Sequence, residues 1–160
     1  MKSFCNQYKL YNDMKNEENL IIWSPNFSIG IPAIDQEHMK LVRLCNNLYK
    51  SVLAEKAKDS PERKEAVKTA LRECADYAKT HFKSEEKLMQ QCDFQGIEKH
   101  RSEHKTFIKM ILDKIQSFDK EDFASSLEFV RFLYDWILYH IAHTDTLYVE
   151  KLKEWHEKNP

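Results

Sequence analysis

Apolar residues recur every three or four positions along four long stretches of this chain, and no glycine or proline interrupts those stretches beyond their first residue. That period marks helices that bury one face, and the lack of breakers favours helix over strand. The first helix is expected over about 34–54, with Ile34, His38, Leu41, Cys45, Leu48 and Val52 on one side. Ser60-Pro61 reads as an N-cap followed by proline at the first helical position. It opens a second helix that runs to about Gln91, with Val67, Leu71, Cys74, Ala78, His81, Glu85 and Leu88 inward. Asp93 to Gly96 break the chain. A third helix follows over 97–117, burying Ile97, His100, His104, Phe107, Ile111 and Ile115. Asp119 or Asp122 caps a fourth, which carries Phe129, Leu133, Trp136, Ile137 and His140, and helix continues to about His156.

Connections of a few residues make successive helices antiparallel. The expected fold is therefore all-α: an up-down-up-down antiparallel four-helix bundle with an N-terminal arm and a C-terminal helical extension. Residues 1–20 show no clear amphipathic period and read as a flexible arm. Residues 21–160 read as the bundle domain, with Trp23 to Ile31 packing across it as a lead-in.

Composition narrows the function. At 160 residues the chain can bury a full core without a metal or disulfide, so a bound metal would serve function rather than folding. The net charge of −1 gives no strong attraction to nucleic acid or anionic lipid. No apolar run approaches the ~18–20 residues of a membrane span, and the first 20 residues lack a signal-type apolar core. A cytoplasmic location is expected. Cys5, Cys45, Cys74 and Cys92 form no Cys-x-x-Cys pair, and Cys45 and Cys74 fall at core positions.

The buried stripes also carry unusual residues. His38 lies near the start of the first helix, and His81 and Glu85 lie one turn apart toward the end of the second. His100 and His104 open the third; His140 and Asp145 close the fourth. In an up-down-up-down bundle those positions share one end, so all seven groups fall in about the same layer. A single histidine on an apolar face is usually a hydrogen-bonded core residue. Five histidines and two carboxylates stacked in one dry layer are costly without a cation. Imidazole plus carboxylate suits iron, zinc or manganese. Seven donors are too many for one four-coordinate zinc, so two ions are indicated. If both carboxylates and an oxo or hydroxo group bridge two octahedral ions, the histidines divide three to two and one coordination position stays open. Asp145 poses a geometric problem: five residues from His140 is ~140° around a regular helix. The end of that helix must distort, for instance through a π-turn, or Asp145 must reach in from beyond it. Glu86 is expected on the solvated side, and His143 and His156 at or near the surface.

These residues stand in motifs: Trp23, Ile34-Asp35-Gln36-Glu37-His38, His81-Phe82-Lys83-Ser84-Glu85-Glu86 with Met89, His100-Arg101-Ser102-Glu103-His104, and Trp136-Ile137-Leu138-Tyr139-His140-Ile141 before Asp145 and Tyr148. From about Trp23 to Tyr148 the chain resembles the hemerythrins, particularly the bacterial hemerythrin-like domains. The resemblance implies two iron ions joined by an oxo or hydroxo bridge and reversible binding of dioxygen. His100, His104 and His140 would hold the coordinatively full iron and His38 and His81 the open one, with Glu85 and Asp145 bridging. Leu41, Phe107, Trp136, Ile137 and Ile141 would line an apolar oxygen pocket, though each is equally a core residue. An oxygen carrier, store or buffer is the leading expectation. The alternatives are an oxygen or redox sensor acting through a partner, which the sequence does not name, and a di-iron peroxidase or nitric-oxide-handling enzyme.

Overall fold

The computed structural model describes residues 19–55, 60–120 and 122–159. Four long helices build the bundle: α1 (Pro32–Glu55), α2 (Pro61–Gln91), α3 (Ile97–Ser117) and α4 (Phe123–Tyr139). Helix α1 packs on α2 and α4, and α2 packs on α3. A π-turn (His140–Thr144) and a 3-10 turn (Asp145–Tyr148) then lead into α5 (Val149–Lys158), the expected C-terminal extension. The expected arm lies outside the described residues apart from Asn19 and Leu20.

Local chemistry sets the boundaries. Proline opens both α1 and α2, where the first helical N–H needs no partner. Before α1, the Asp35 carboxylate accepts from the Ile29 amide (2.9 Å) and the Ser28 hydroxyl (2.6 Å). Gly30 makes the turn between them at φ 79°, a left-handed conformation that side chains disfavour. Of the two acids considered for capping α4, Asp122 does so, accepting from the Ser125 amide at 2.9 Å. Asp119 instead sits in a 3-10 turn (Phe118–Lys120) and pairs with Lys68.

The lead-in does pack across the bundle. Asn46 is buried in α1, and its side chain accepts from the Ile21 amide (2.8 Å) and donates to the Ile21 carbonyl (2.9 Å). One amide side chain thus satisfies both backbone groups of Ile21, much as a neighbouring strand would. A 3-10 turn (Pro25–Phe27) follows and packs on the π-turn.

Two apolar clusters make the core. The larger fills most of the bundle and includes Leu48, Leu71, Phe82, Phe107, Ile111 and Leu133. The smaller closes one end with Ile29, Ile34, Met89, Cys92, Tyr148, Val149 and Leu152. Cys45 and Cys74 are buried as expected, and burial pushes the Cys45 thiol up to about 12, so it stays protonated. On α4 the fully inward residue is Val130, while Phe129, expected there, is only half-buried at the edge. On α2, likewise, Met89 is buried and Leu88 half-buried.

Candidate metal centre

Between the two apolar clusters lies a layer of buried polar side chains supplied by all four helices. His38 comes from α1, His81 and Glu85 from α2, and His100 and His104 from α3; His140 and Asp145 bracket the π-turn after α4. All seven are buried, with relative exposures of 0–3%. The seven residues expected to share one layer are therefore brought together.

The π-turn solves the spacing problem of Asp145. Its amide donates to the His140 carbonyl, a five-residue loop in place of the usual four. The wider turn brings Asp145 back beneath His140, so that Oδ1 lies 3.2 Å from His140 Nε2. The same carboxylate reaches His100 Nε2 at 3.3 Å and His38 Nε2 at 3.2 Å. Glu85 mirrors it from the other side, at 3.7 Å from His38, 3.5 Å from His81, 3.8 Å from His100 and 3.4 Å from His104, always facing Nε2. Its other support is the buried Tyr148 hydroxyl, which donates to Oε1 at 3.1 Å.

All five imidazoles thus present Nε2 to a common centre. The donor atoms fall into two overlapping groups, His38-His81-Glu85 and Glu85-His100-His104-His140, with Glu85 in both. Asp145 spans the same two groups through His38 on one side and His100 and His140 on the other.

Despite these short separations, much of the layer is not hydrogen-bonded. Both nitrogens of His38 and of His100, Oε2 of Glu85 and both oxygens of Asp145 are buried without a hydrogen-bond partner. Each such group costs about 1–3 kcal/mol, more when charged. Nε2 of His104 and Nε2 of His140 face each other at 3.1 Å, so one ring must donate to the other unless both lone pairs turn to a shared cation. A neutral core has no use for this arrangement, whereas divalent cations between the nitrogens and the carboxylates would satisfy these inward-facing atoms together. The residues fit metal ions held by two overlapping donor groups, and imidazole with carboxylate suits iron, zinc or manganese.

The electrostatics agree. Burial by itself would lower His38, but the close carboxylates of Asp145 and Glu85 outweigh it and raise its pKa to about 9. His100 rises to about 9 for the same reasons. His140 falls to about 4, chiefly through burial. Glu85 is held well below the usual carboxylate range: burial opposes this, but the charge of His81 and contacts from His100, His104 and His38 prevail. Positive charge is what this layer calls for.

The apolar surroundings separate into two sides. Leu41, Phe107, Ile137 and Ile141 are all buried in the larger cluster. Trp136 is half-buried and stacks between Phe107 (4.0 Å between ring centres) and His140 (4.2 Å, planes 14° apart). It therefore packs on a member of the three-histidine group, not on the His38-His81 pair. Phe82, which the inward stripe of α2 did not include, stacks on His104 at 3.7 Å with planes 6° apart. Glu86 also departs from expectation. It is not simply solvated: Oε1 lies 3.1 Å from His104 Nδ1, and Oε2 accepts from Arg101 at 3.2 Å. Its position one residue off the buried stripe placed it outward, but the neighbouring helix brings a histidine to meet it. His143 and His156 are exposed, as expected.

A four-helix bundle with a buried two-part histidine and carboxylate site belongs to the class of bundles that hold metal ions in their core. The hemerythrin HHE cation binding domain matches residues 29–152, and the chain belongs to the hemerythrin family. It is similar to a bacteriohemerythrin of Stenotrophomonas maltophilia (30% identity over 135 residues, 84% of this chain and 82% of that one). A bacteriohemerythrin of Clostridium acetobutylicum is 28% identical over 132 residues, covering 82% of this chain and all of that one. A wild-type hemerythrin crystal structure superposes with a TM-score of 0.67 at 25% identity, covering 83% of this chain and 98% of the other.

Proposed function

We propose that this protein binds dioxygen reversibly at a pair of iron ions, acting as a carrier, store or buffer rather than as a catalyst. The single observation that carries the reading is the convergence of five Nε2 atoms and two carboxylates in one buried layer, with Glu85 common to both donor groups. Membership of the hemerythrin family and likeness to bacteriohemerythrins support iron and dioxygen as the occupants. When bound, two ferrous ions would supply the two electrons that hold dioxygen and would regain them when it leaves.

The residues around the pair have separate tasks. His100, His104 and His140 would hold one ion and His38 and His81 the other, with Glu85 and Asp145 shared. The Tyr148 hydroxyl fixes one oxygen of Glu85, which keeps that carboxylate oriented between the two groups. Leu41, Phe107, Ile137 and Ile141 exclude water from the layer, and Trp136 holds the ring of His140 by stacking. A nitrogen-rich donor set with only two buried carboxylates favours reversible binding over the oxygen-activating chemistry of carboxylate-rich bundles. As part of the same proposal the protein is cytoplasmic and residues 21–160 form one domain; separately, among the described residues no helix is long and apolar enough to cross a membrane.

The test is an absorption spectrum of the iron-loaded protein cycled between air and argon. A visible band that comes with oxygen, fades under argon and returns over several cycles is expected. A spectrum indifferent to oxygen, or steady consumption of peroxide or nitric oxide, would overturn the reading.

A further inference from the structure

The motifs around the ligands contain three acids with no task in the centre: Glu37 beside His38, Glu86 beside Glu85, and Glu103 beside His104. Each faces the outer nitrogen of a histidine on a different element. Glu37 of α1 lies 2.9 Å from Nδ1 of His81 on α2. Glu86 of α2 lies 3.1 Å from Nδ1 of His104 on α3. Glu103 of α3 lies 3.5 Å from Nδ1 of His140 after α4, a looser ion-pair contact that the Trp136 stack supplements.

We propose that these three acids are positioning residues, linked hand to hand around the bundle. Helices α1, α2 and α3 each use the acid next to their own metal-site residue to fix a ring carried by the next element. The physical effect is on the tautomer. A carboxylate at Nδ1 keeps the proton on that nitrogen, so the lone pair sits on Nε2 and points inward, and the negative charge makes Nε2 a better donor. Two of the acids are themselves held: Ser84 donates to Glu37 at 3.0 Å, and Arg101 links Glu86 to Glu98. All three are a quarter to a third exposed, at 27%, 26% and 33%, while each reaches a buried ring. Each acid thus serves a donor group to which its own sequence neighbour belongs. Glu37 acts on the His38-His81 group, and Glu86 and Glu103 act on the His100-His104-His140 group.

This inference rests on the metal-centre reading, and cobalt and zinc ions test it without any oxygen chemistry. The metal-free full-length chain is titrated with cobalt(II) against a chelator, for the wild type and for Glu37→Leu, Glu37→Gln, Glu86→Leu and Glu86→Gln. Each Leu variant is expected to bind one cobalt as the wild type does and to bind the other about 10–100-fold more weakly. The Gln variants, whose side-chain oxygen still accepts from Nδ1, should recover much of that loss. Nitrogen NMR of the zinc-loaded wild type should find His81 and His104 protonated at Nδ1. Leu variants that bind both ions normally, that lose both together, or that match their Gln counterparts would overturn the inference, as would a proton on Nε2. A wild-type chain that takes up neither metal would instead overturn the metal-centre reading beneath it.

Discussion

Asp145 Oδ1 lies 3.2 Å from His140 Nε2 because the chain between them winds as a π-turn, not an α-turn. A side chain that an ordinary helix would leave ~140° away thereby faces the same point as the histidine. Asp145 touches His38, His100 and His140, so it joins both donor groups. Asp145→Asn keeps the shape and removes the charge. It is expected to reduce bound iron below two ions per chain while leaving helix content unchanged, as read by metal analysis and circular dichroism. Full iron content in that variant would contradict the bridging role.

Tyr148 offers a narrower test. Tyr148→Phe removes one hydroxyl and leaves Glu85 Oε1 buried without its donor. Hydrogen bonds to charged groups contribute about 1.5–3 kcal/mol, and a loss of that order is expected in denaturant unfolding of the metal-free protein. Iron content should remain at two, since Tyr148 orients Glu85 and binds no ion itself.

The pH dependence of the metal-free fold follows from the histidines. His38 and His100 rise from 6.5 to about 9, so the stability they contribute is fully present below pH 6.5 and is lost as pH climbs through about 9. His140 acts in the opposite sense: its fall to about 4 removes stability as pH drops from 6.5 toward 4. Thermal unfolding of the metal-free chain should therefore peak slightly below neutrality and decline toward pH 9. Metal loading should flatten the alkaline decline, because the ions take the place of those protons. An alkaline decline of equal size with and without metal would argue against the assignment.

Ile141 is buried beside the centre in the larger apolar cluster. Ile141→Thr introduces a hydroxyl and removes the terminal methyl group. It is expected to hasten irreversible loss of the oxygen-responsive spectrum, by letting water into the layer. An unaltered rate would show that Ile141 is plain core.

Much of this was legible in the residues themselves. Pro61, Gly96 and Asp122 mark the ends of helices because each has a local physical effect that needs no tertiary partner. The common layer of seven donors followed from topology, and the five-residue step from His140 to Asp145 announced a distortion. What escaped was cross-helix. Phe82 and Glu86 each follow a buried residue by one position, where a simple stripe turns outward. In a bundle those flanking positions meet the adjacent helix, and only the packing of α2 on α3 reveals that both touch His104. The clamp of Asn46 on Ile21 is similar, since a lone asparagine in a helix says nothing about a segment 25 residues earlier.

Gly30 separates backbone strain from packing. Its φ of 79° disfavours any side chain, yet a Cβ there would meet nothing within 4 Å. Gly30→Ala should therefore cost about 1–2 kcal/mol through conformation alone, measurable by denaturant unfolding, with iron content preserved.

The most direct measurement is an anaerobic titration of the metal-free protein with ferrous iron, following uptake per chain. The expected endpoint is two ions, with Asp145→Asn falling short of it. An endpoint of one ion or none in the wild type would contradict a paired centre built from His38, His81, Glu85, His100, His104, His140 and Asp145.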